Sequence, residues 1–233
     1  MIRHVAILAG GLATRLYPVT KTMPKSLIEV AGKPFIHHQL SLFKTRGITD
    51  VVLCVGYLGE MVEEYVGTGE KWGLNVKYSH DGDVLLGTGG SLKKATSMLP
   101  DSFFVMYGDS YLDAEYKPIS DSFEYQKKPA LMAVFHNRNQ FDTSNIIFKD
   151  GKILKYDKVN KTPDMEYVDY GMAAVQKTVF DEWPEGKFDL ASVYQKLLER
   201  GQLAGFEVKT RFYEGGSVSG LKETDQYLSR KQP

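Results

Sequence analysis

The sequence predicts an α/β fold in which a mostly parallel, mixed sheet is flanked by helices. Short apolar runs alternate with helix-like segments through the first half of the chain, a pattern typical of parallel sheets with helices on both faces. Glycine follows these runs at Gly10, Gly56 and Gly108, as expected where a strand gives way to a loop. The chain has 233 residues, which is enough for one such domain.

The elements of the first half follow from apolar periodicity and from residues that end helices. Apolar or alternating runs predict strands at Val5–Ala9, Val51–Val55, Leu74–Tyr78 and Phe103–Tyr107. Segments with an apolar face or a terminating glycine or proline predict helices at Pro34–Gly47, Glu60–Val66 and Gly89–Leu99. Because ligands bind beyond the carboxyl ends of strands in such sheets, we expect the segments at Gly10 and Asp109 to meet in one cleft.

The second half has a more mixed pattern. Its predicted strands are Ala130–His136, Asn145–Lys149, Lys152–Asp157, Val168–Val175 and Phe206–Tyr213, and its predicted helices are Leu190–Arg200 and Gly220–Arg230. The pair Asp150-Gly151 is a strong hairpin signal between two of these strands. Since no linker-like or repeated segment interrupts the chain, we interpret residues 1–233 as a single domain. Its C-terminal part (about 116–233) is expected to cover the open edge of the N-terminal part (about 1–115).

Composition and charge disfavour several classes of protein. Lys plus Arg and Asp plus Glu both number 29, and this balance argues against a nucleic-acid-binding protein. No apolar run approaches the roughly 18 residues of a membrane-spanning helix, and the N-terminus has no apolar targeting region. We therefore expect a cytoplasmic protein with no nucleic-acid or membrane partner. The single cysteine, Cys54, has apolar neighbours that predict a buried packing role rather than a disulfide or a zinc site.

The first candidate functional segment is Ala9-Gly10-Gly11-Leu12-Ala13-Thr14-Arg15-Leu16, directly after the first predicted strand. Glycines let the backbone pass close to a ligand, and the N–H groups of a turn can bind phosphate oxygens. Arg15 can add a bidentate contact to phosphate. The segment lacks the third glycine of a dinucleotide fingerprint, which disfavours an oxidoreductase, and it is not a Walker A motif. An ordinary strand-to-helix turn without a ligand is the alternative.

A lysine follows ten residues after Arg15, in Met23-Pro24-Lys25-Ser26-Leu27. Pro24 restricts the local backbone and so helps to orient Lys25. A lysine close to an arginine and a glycine-containing turn is suited to neutralise the charge of a polyphosphate. A solvated surface lysine is the alternative interpretation.

The turn and the Pro-Lys pair together resemble the signature of sugar-1-phosphate nucleotidylyltransferases. Leu86–Gly90 is similar to the family's base-binding loop, Tyr107–Asp109 to its strand-end metal aspartate, and Tyr213–Ser217 to its late acidic segment. The sequence departs from the family pattern at Ala13, where glycine is commoner, and at Glu214, where aspartate is commoner. It looks nearest to the heptose 1-phosphate guanylyltransferases and the N-acetylmuramate 1-phosphate uridylyltransferases of this family.

The resemblance implies a Rossmann-like fold of the nucleotide-diphospho-sugar transferase type and a set of site residues. Arg15 and Lys25 are the implied catalytic residues, and Asp109 and Glu214 are the implied ligands of Mg²⁺, which prefers oxygen ligands. The implied nucleotide-binding residues are Leu8, Ala9, Gly10, Gly11, Thr14, Arg15, Gly87, Thr88 and Gly89. The implied acceptor-binding residues are Asp157, Lys158 and Gly171, and Asp169 lies where the family often places sugar contacts.

The activity implied by the resemblance joins an NTP and a sugar 1-phosphate into a nucleotide sugar and pyrophosphate. The nearest resemblance favours GTP with a heptose or hexose 1-phosphate, while UTP, CTP and a phosphorylated non-sugar acceptor stay open. A non-catalytic, nucleotide-binding regulatory protein is the alternative class. Without the resemblance, Asp109 also suits a turn after a strand, and Asp157 with Lys158 also suits a surface ion pair. The sequence does not determine the oligomeric state, and a homodimer is one option.

Overall fold

A nine-stranded mixed sheet forms the centre of the computed structural model, which describes residues 1–231. In chain order the strands are β1 (His4–Leu8), β2 (Glu29–Val30), β3 (Lys33–Pro34), β4 (Asp50–Val55), β5 (Asn75–His80), β6 (Ser102–Tyr107), β7 (Ser110–Tyr111), β8 (Ala130–His136), β9 (Ile146–Lys149), β10 (Lys152–Tyr156), β11 (Tyr167–Gln176), β12 (Leu203–Val208) and β13 (Tyr213–Glu214). The α-helices are α1 (Phe35–Thr45), α2 (Gly59–Val66), α3 (Gly87–Ala95), α4 (Lys117–Gln126), α5 (Leu190–Glu199) and α6 (Val218–Ser229). None of the helices within residues 1–231 is long and apolar enough to cross a membrane.

One half of the sheet is parallel. In the order β6-β1-β4-β5, all neighbouring strands pair in parallel. The carboxyl ends of these strands, including Leu8, Val55 and Tyr107, therefore lie at the same edge of the sheet. The loops that follow β1 and β6 carry Gly10 and Asp109, so both predicted segments start from this edge.

The other half of the sheet is mixed and comes from the C-terminal part of the chain. Strand β11 pairs antiparallel with β6, β8 pairs antiparallel with β11, and β12 pairs parallel with β8. The β9–β10 hairpin joins this half where Tyr167 pairs with Ile146. The C-terminal part thus covers the open edge at β6 by adding strands to the same sheet, and its loops also reach the carboxyl edge of the parallel half.

Apolar side chains pack on both faces of the sheet. Along β1, Val5 and Ile7 belong to one large buried cluster and Ala6 belongs to the other, because successive residues of a strand point to opposite faces. Helices α1, α2 and α4 cover the first face, and α3 and α5 cover the second. Cys54 is fully buried in the second cluster, as predicted, and burial raises the pKa of its thiol to about 12.

Most predicted strands and helices are confirmed with ends that shift by a few residues. Differences are found at the two-residue strands β2, β3, β7 and β13, which were not predicted, at helix α4 and at strand β12. Helix α4 was not predicted, since Ser120 occupies one of its buried positions and interrupts the apolar periodicity. The Oγ of Ser120 accepts a hydrogen bond from the N–H of Ile2 at 2.8 Å, which satisfies this polar group in the core. The predicted strand Phe206–Tyr213 is wrong in position, because the sheet strand starts at the buried, non-alternating residues 203–205 and ends at Val208.

Candidate active site

Two clefts of similar size lie at the carboxyl edge of the parallel strands. The first cleft has a volume of about 530 Å³ and the second about 520 Å³, both within the usual range for small-molecule sites. The first is lined by Leu8, Ala9, Gly10, Gly11, Leu12, Ala13, Thr14, Arg15, Lys25, Ser26, Cys54, Asp81, Leu85, Gly87, Thr88, Ser91, Tyr107, Gly108, Asp109, Lys187 and Asp189. The second is lined by Arg15, Tyr107, Asp109, Ser110, Phe141, Asp142, Thr143, Asn145, Lys158, Lys161, Val168, Asp169, Tyr170, Gly171, Phe212, Glu214, Ser217 and Ser219. Arg15, Tyr107 and Asp109 line both clefts, so the two meet at these residues.

Lys25 and Asp109 form an ion pair where the clefts meet. The Nζ of Lys25 lies 2.6 Å from Oδ2 of Asp109, and each side chain is 23% exposed. Burial by itself raises the pKa of Asp109, but the charge and hydrogen bond of Lys25, with a further contribution from Arg15, lower it below its ordinary value. Asp109 is therefore ionised at neutral pH. The fold brings it to Lys25, from which 84 residues separate it in the sequence.

Glu214 reaches the same point from the C-terminal part of the chain. It pairs with Ser110 in the short β7–β13 ladder, and the N–H of Gly215 donates to the carbonyl of Asp109 at 2.7 Å. A Cβ on Gly216 would stand 2.8 Å from Oδ2 of Asp109 and 3.0 Å from Oε2 of Glu214. The same point lies 3.2 Å from Nη2 of Arg15. Both carboxylates and the guanidinium thus converge around a backbone position that leaves no room for a side chain.

The carboxylate of Glu214 also shapes the turn that follows it. Its Oε2 accepts a hydrogen bond from the N–H of Gly216 at 2.6 Å, and its Oε1 accepts one from the hydroxyl of Ser217. Ser217 in turn caps α6 by accepting from the N–H of Gly220 at 3.0 Å. Glu214 is therefore held in one orientation by its own loop.

Lys158 and Asp169 lie together on the wall of the second cleft. The Nζ of Lys158 is 3.3 Å from Oδ2 of Asp169 and 3.1 Å from the hydroxyl of Tyr107. Only 5% of the Asp169 side chain is exposed, and its Oδ2 accepts hydrogen bonds from Tyr107 and Tyr156, both at 3.3 Å. Burial, followed by the Asp169 carboxylate, raises the pKa of Tyr107 well above its ordinary value, so this hydroxyl stays a donor. Gly171, which was predicted to contact the acceptor, also lines this cleft.

Asp157, which the sequence predicts to bind the acceptor, lies in a local turn beside Lys158. Its Oδ1 accepts hydrogen bonds from the N–H groups of Val159 and Asn160, both at 2.8 Å. The carboxylate therefore stabilises a local turn and is not among the residues that line the second cleft. Asp169, which comes twelve residues later in the sequence, supplies the buried carboxylate beside Lys158 instead.

The three residues that the sequence predicts to bind the nucleotide at the start of α3 differ in their surroundings. Gly87 and Thr88 line the first cleft, whereas Gly89 is buried and its N–H donates to the carbonyl of Phe188 at 2.9 Å. A Cβ at Gly89 would overlap the ring of Phe188. Gly89 is thus needed for close packing against the segment before α5, and its N–H is not available to a nucleotide.

Asp81 is a cleft residue that the sequence did not reveal. Its Oδ2 accepts from the N–H of Leu86 at 2.9 Å, and its Oδ1 accepts from Oγ of Ser91 at 2.5 Å. The side chain therefore holds the loop before α3 in place at the wall of the first cleft. Other lining residues without a sequence signal are Lys187, Asp189, Phe141, Asp142, Thr143 and Asn145. Isolated polar residues in loops form no pattern, and only the fold brings them together.

Two adjoining clefts lie at the carboxyl edge of the sheet, and a glycine-containing turn lines the first of them. The family model for nucleotidyl transferases matches residues 4–146, and the chain belongs to this family. The chain is 34% identical over 162 residues to a mannose-1-phosphate guanyltransferase of Neurospora crassa, a match that covers 68% of this chain and 41% of that protein. It is 29% identical over 202 residues to a D-glycero-alpha-D-manno-heptose 1-phosphate guanylyltransferase of Campylobacter jejuni, covering 83% of this chain and 87% of that protein.

Comparison with solved structures confirms the predicted fold class. A putative glucose-1-phosphate thymidylyltransferase from Bacillus anthracis superposes with a TM-score of 0.87 at 24% sequence identity, covering 100% of this chain and 97% of that chain. The likeness therefore extends over the parallel half, the mixed half and the loops that form both clefts. At this level of identity it establishes the fold alone.

Proposed function

We propose that this protein transfers a nucleotidyl group from an NTP to a sugar 1-phosphate, which yields a nucleotide sugar and pyrophosphate. The observation that carries the proposal is the meeting of two separate clefts at Arg15, Tyr107 and Asp109. A reaction that joins two phosphorylated substrates needs two such sites, with cationic groups where the phosphates meet. Lys25 and Arg15 both lie close to Asp109 at this point.

The first cleft suits the NTP. Its wall contains the backbone of Leu8–Gly11 together with Gly87 and Thr88, and backbone N–H groups of such turns bind phosphate oxygens. Arg15 supplies a planar guanidinium for the β- and γ-phosphates, and Lys25 supplies a compact positive charge for the reacting phosphoryl group.

The second cleft suits the sugar 1-phosphate. Lys158 provides a positive charge for the phosphate, and Asp169 fixes its position from the buried side. Gly171 lines this cleft, and a Cβ there would stand 2.7 Å from Oγ of Ser110. Polar groups around these residues provide partners for sugar hydroxyls.

The proposed reaction depends more on the positioning of the two substrates than on proton transfer. An oxygen of the sugar phosphate attacks the α-phosphorus, and pyrophosphate leaves on the opposite side. Because a phosphate monoester is already a nucleophile, the chain needs no strong general base. Lys25 and Arg15 would neutralise the charge that develops on the phosphoryl oxygens, which is the main catalytic contribution expected of such groups.

Mg²⁺ fits the proposed site through Asp109 and Glu214. Within residues 1–231, no cluster of three or more His, Cys, Asp or Glu side chains could hold a metal. Mg²⁺ in nucleotide sites commonly takes only one or two carboxylates and completes its shell with phosphates and water. The carboxylates on either side of Gly216 match this requirement. When bound, the ion would neutralise phosphate charge and orient the two substrates.

GTP with a heptose or hexose 1-phosphate is the favoured pair. The Neurospora and Campylobacter relatives are named guanyl- or guanylyltransferases. UTP or CTP is the alternative nucleotide, and a phosphorylated non-sugar is the alternative acceptor. The Neurospora relative is matched over less than half of its length, so the substrate pair belongs to the proposal. The expected cytoplasmic location and the homodimer stay predictions of the sequence.

A matrix assay tests the proposal. The protein is incubated with Mg²⁺, each common NTP, and mannose 1-phosphate, glucose 1-phosphate, heptose 1-phosphate or phosphocholine, and pyrophosphate release is measured. We expect one pair to dominate and Asp109→Ala to lower its rate by about 10³-fold. Binding of NTP without pyrophosphate release from any pair would favour the non-catalytic binding protein. Absence of NTP binding would refute the proposal.

A further inference from the structure

The loop between β8 and β9, residues 137–145, is organised by the buried side chain of Asn137. Asn137 is fully buried, and its Nδ2 donates to the carbonyl of Asp142 at 2.6 Å and to Oγ of Ser144 at 3.1 Å. Its Oδ1 accepts from the N–H of Phe141 at 3.1 Å. These contacts add to the loop's backbone hydrogen bonds, such as that from the N–H of Gln140 to the carbonyl of Asn137 at 2.9 Å, and they fix the positions of residues 141–144.

A second set of contacts fixes the tip of the same loop. Arg138 and Asn139 adopt left-handed backbone angles, with φ of 49° and 58°. Oδ1 of Asn139 accepts from the N–H of Ser144 at 2.8 Å, and Oγ of Ser144 accepts from the N–H of Asn139 at 3.1 Å. Left-handed conformations of non-glycine residues persist where surrounding contacts impose them. The loop thus has a defined shape before any ligand binds.

This loop presents Phe141, Asp142 and Thr143 to the second cleft. Phe141 is 38% exposed, and the guanidinium of Arg211 packs on its ring. The guanidinium carbon of Arg211 lies 3.6 Å from the ring centroid, and Arg211 is itself paired with Glu223 on α6. An exposed aromatic surface in a polar cleft is expected to gain stability when an apolar surface covers it.

We propose that residues 141–143 select the acceptor by recognising a polyhydroxylated ring, an inference that rests on the proposed function. The C–H groups of a pyranose carry partial positive charge and pack favourably on an aromatic ring, here on the part of Phe141 that Arg211 leaves exposed. The carboxylate of Asp142 accepts hydrogen bonds from sugar hydroxyls, and the hydroxyl of Thr143 both donates and accepts. Lys158 binds only the phosphate, which every phosphorylated acceptor shares. The loop therefore discriminates a sugar phosphate from a phosphate ester without a ring, such as phosphocholine.

Steady-state kinetics of matched variants test this inference. Phe141→Ala and Phe141→Leu remove the flat ring, and Asp142→Asn removes the carboxylate charge with little change in shape. Tyr125→Ala and Asp150→Asn serve as controls, since Tyr125 is 85% exposed on α4, Asp150 lies in the β9–β10 turn, and neither lines a cleft. The KM values for mannose 1-phosphate and for GTP are measured separately, with circular dichroism to confirm folding.

We expect the loop variants to raise the KM for mannose 1-phosphate by about tenfold, as the loss of roughly one good contact implies. In the loop variants the KM for GTP should change by less than about twofold, and in the two control variants both KM values should stay within the same limit. The ratio of kcat/KM for mannose 1-phosphate to kcat/KM for phosphocholine should decrease in the loop variants. Unchanged acceptor KM in the folded loop variants, with an active wild type, would overturn the inference and leave the proposed function intact. A wild type without turnover of any sugar phosphate would overturn both.

Discussion

The two clefts are built in different ways, although they are nearly equal in volume. The first cleft uses mainly contiguous backbone, since residues 8–15 form much of its wall in one passage of the chain. The second is assembled from separate segments that include residues 141–145, 168–171 and 212–219. A contiguous turn leaves a motif in the sequence, whereas an assembled wall does not. The sequence therefore indicated much of the first cleft, and most of the wall of the second cleft left no signal in it.

Removing Lys25 tests the region where the clefts meet, and it has the largest expected effect in this set. In Lys25→Met we expect the rate of pyrophosphate release to fall by about 10²-fold, because a preorganised charge is lost. Lys25 also counteracts the effect of burial on Asp109, so its loss should raise the pKa of this carboxyl. In the wild type, activity should be lost only as the pH falls through the lowered pKa of Asp109. The acid limb of the pH–rate profile should move to higher pH in Lys25→Met, and an unmoved limb would contradict the assigned pairing.

Asp169 and Asp157 form a matched pair for the acceptor side. We expect Asp169→Asn to lower kcat/KM for the sugar 1-phosphate by about tenfold, because a buried charge that orients Lys158 is lost. Asp157→Asn should change it by less than about twofold, since that carboxylate serves a local turn. Steady-state kinetics with each substrate varied in turn measures both values. Equal losses in the two variants would restore Asp157 to the acceptor site.

Substitutions at two glycines, one at the first cleft and one behind it, separate a packing role from a ligand-binding role. A Cβ at Gly89 would overlap Phe188, so Gly89→Ala should lower the free energy of unfolding by about 1–3 kcal/mol. A Cβ at Gly11 would meet no atom within 4 Å, so Gly11→Ala should leave stability nearly unchanged while it obstructs a bound phosphate. Urea unfolding measures the loss of stability in Gly89→Ala, and an increased KM for the NTP measures the obstruction of phosphate binding in Gly11→Ala. A Gly89→Ala protein of wild-type stability would refute the packing role.

The smallest effect is expected at Ala13, where the family more often has glycine. Ala13 adopts the left-handed conformation with φ of 49° and ψ of 48°, which is unfavourable for a residue with a Cβ. Ala13→Gly should therefore raise the free energy of unfolding, by no more than about 1 kcal/mol because glycine also gains freedom in the unfolded chain. Thermal unfolding measures the change, and a clear loss of stability would contradict the strain assigned to this turn.

The sequence determined the parallel half of the sheet because each of its strands is a short apolar or alternating run that is followed by a glycine or a turn. It also indicated Arg15, Lys25 and Asp109, which the fold brings to the meeting point of the clefts. It did not reveal α4 or the true start of β12, where buried polar or small residues interrupt the periodicity.

Tertiary structure decided which residues line the second cleft. Asp169 and the segment 141–143 reach the second cleft because β11, β8 and β9 extend the sheet beyond β6. It also placed Asp157 and Gly89 where their polar groups form hydrogen bonds within the protein. Local sequence fixes which groups a segment carries. Long-range packing decides whether those groups form hydrogen bonds within the protein or stay unpaired at a cleft, where a ligand can bind them.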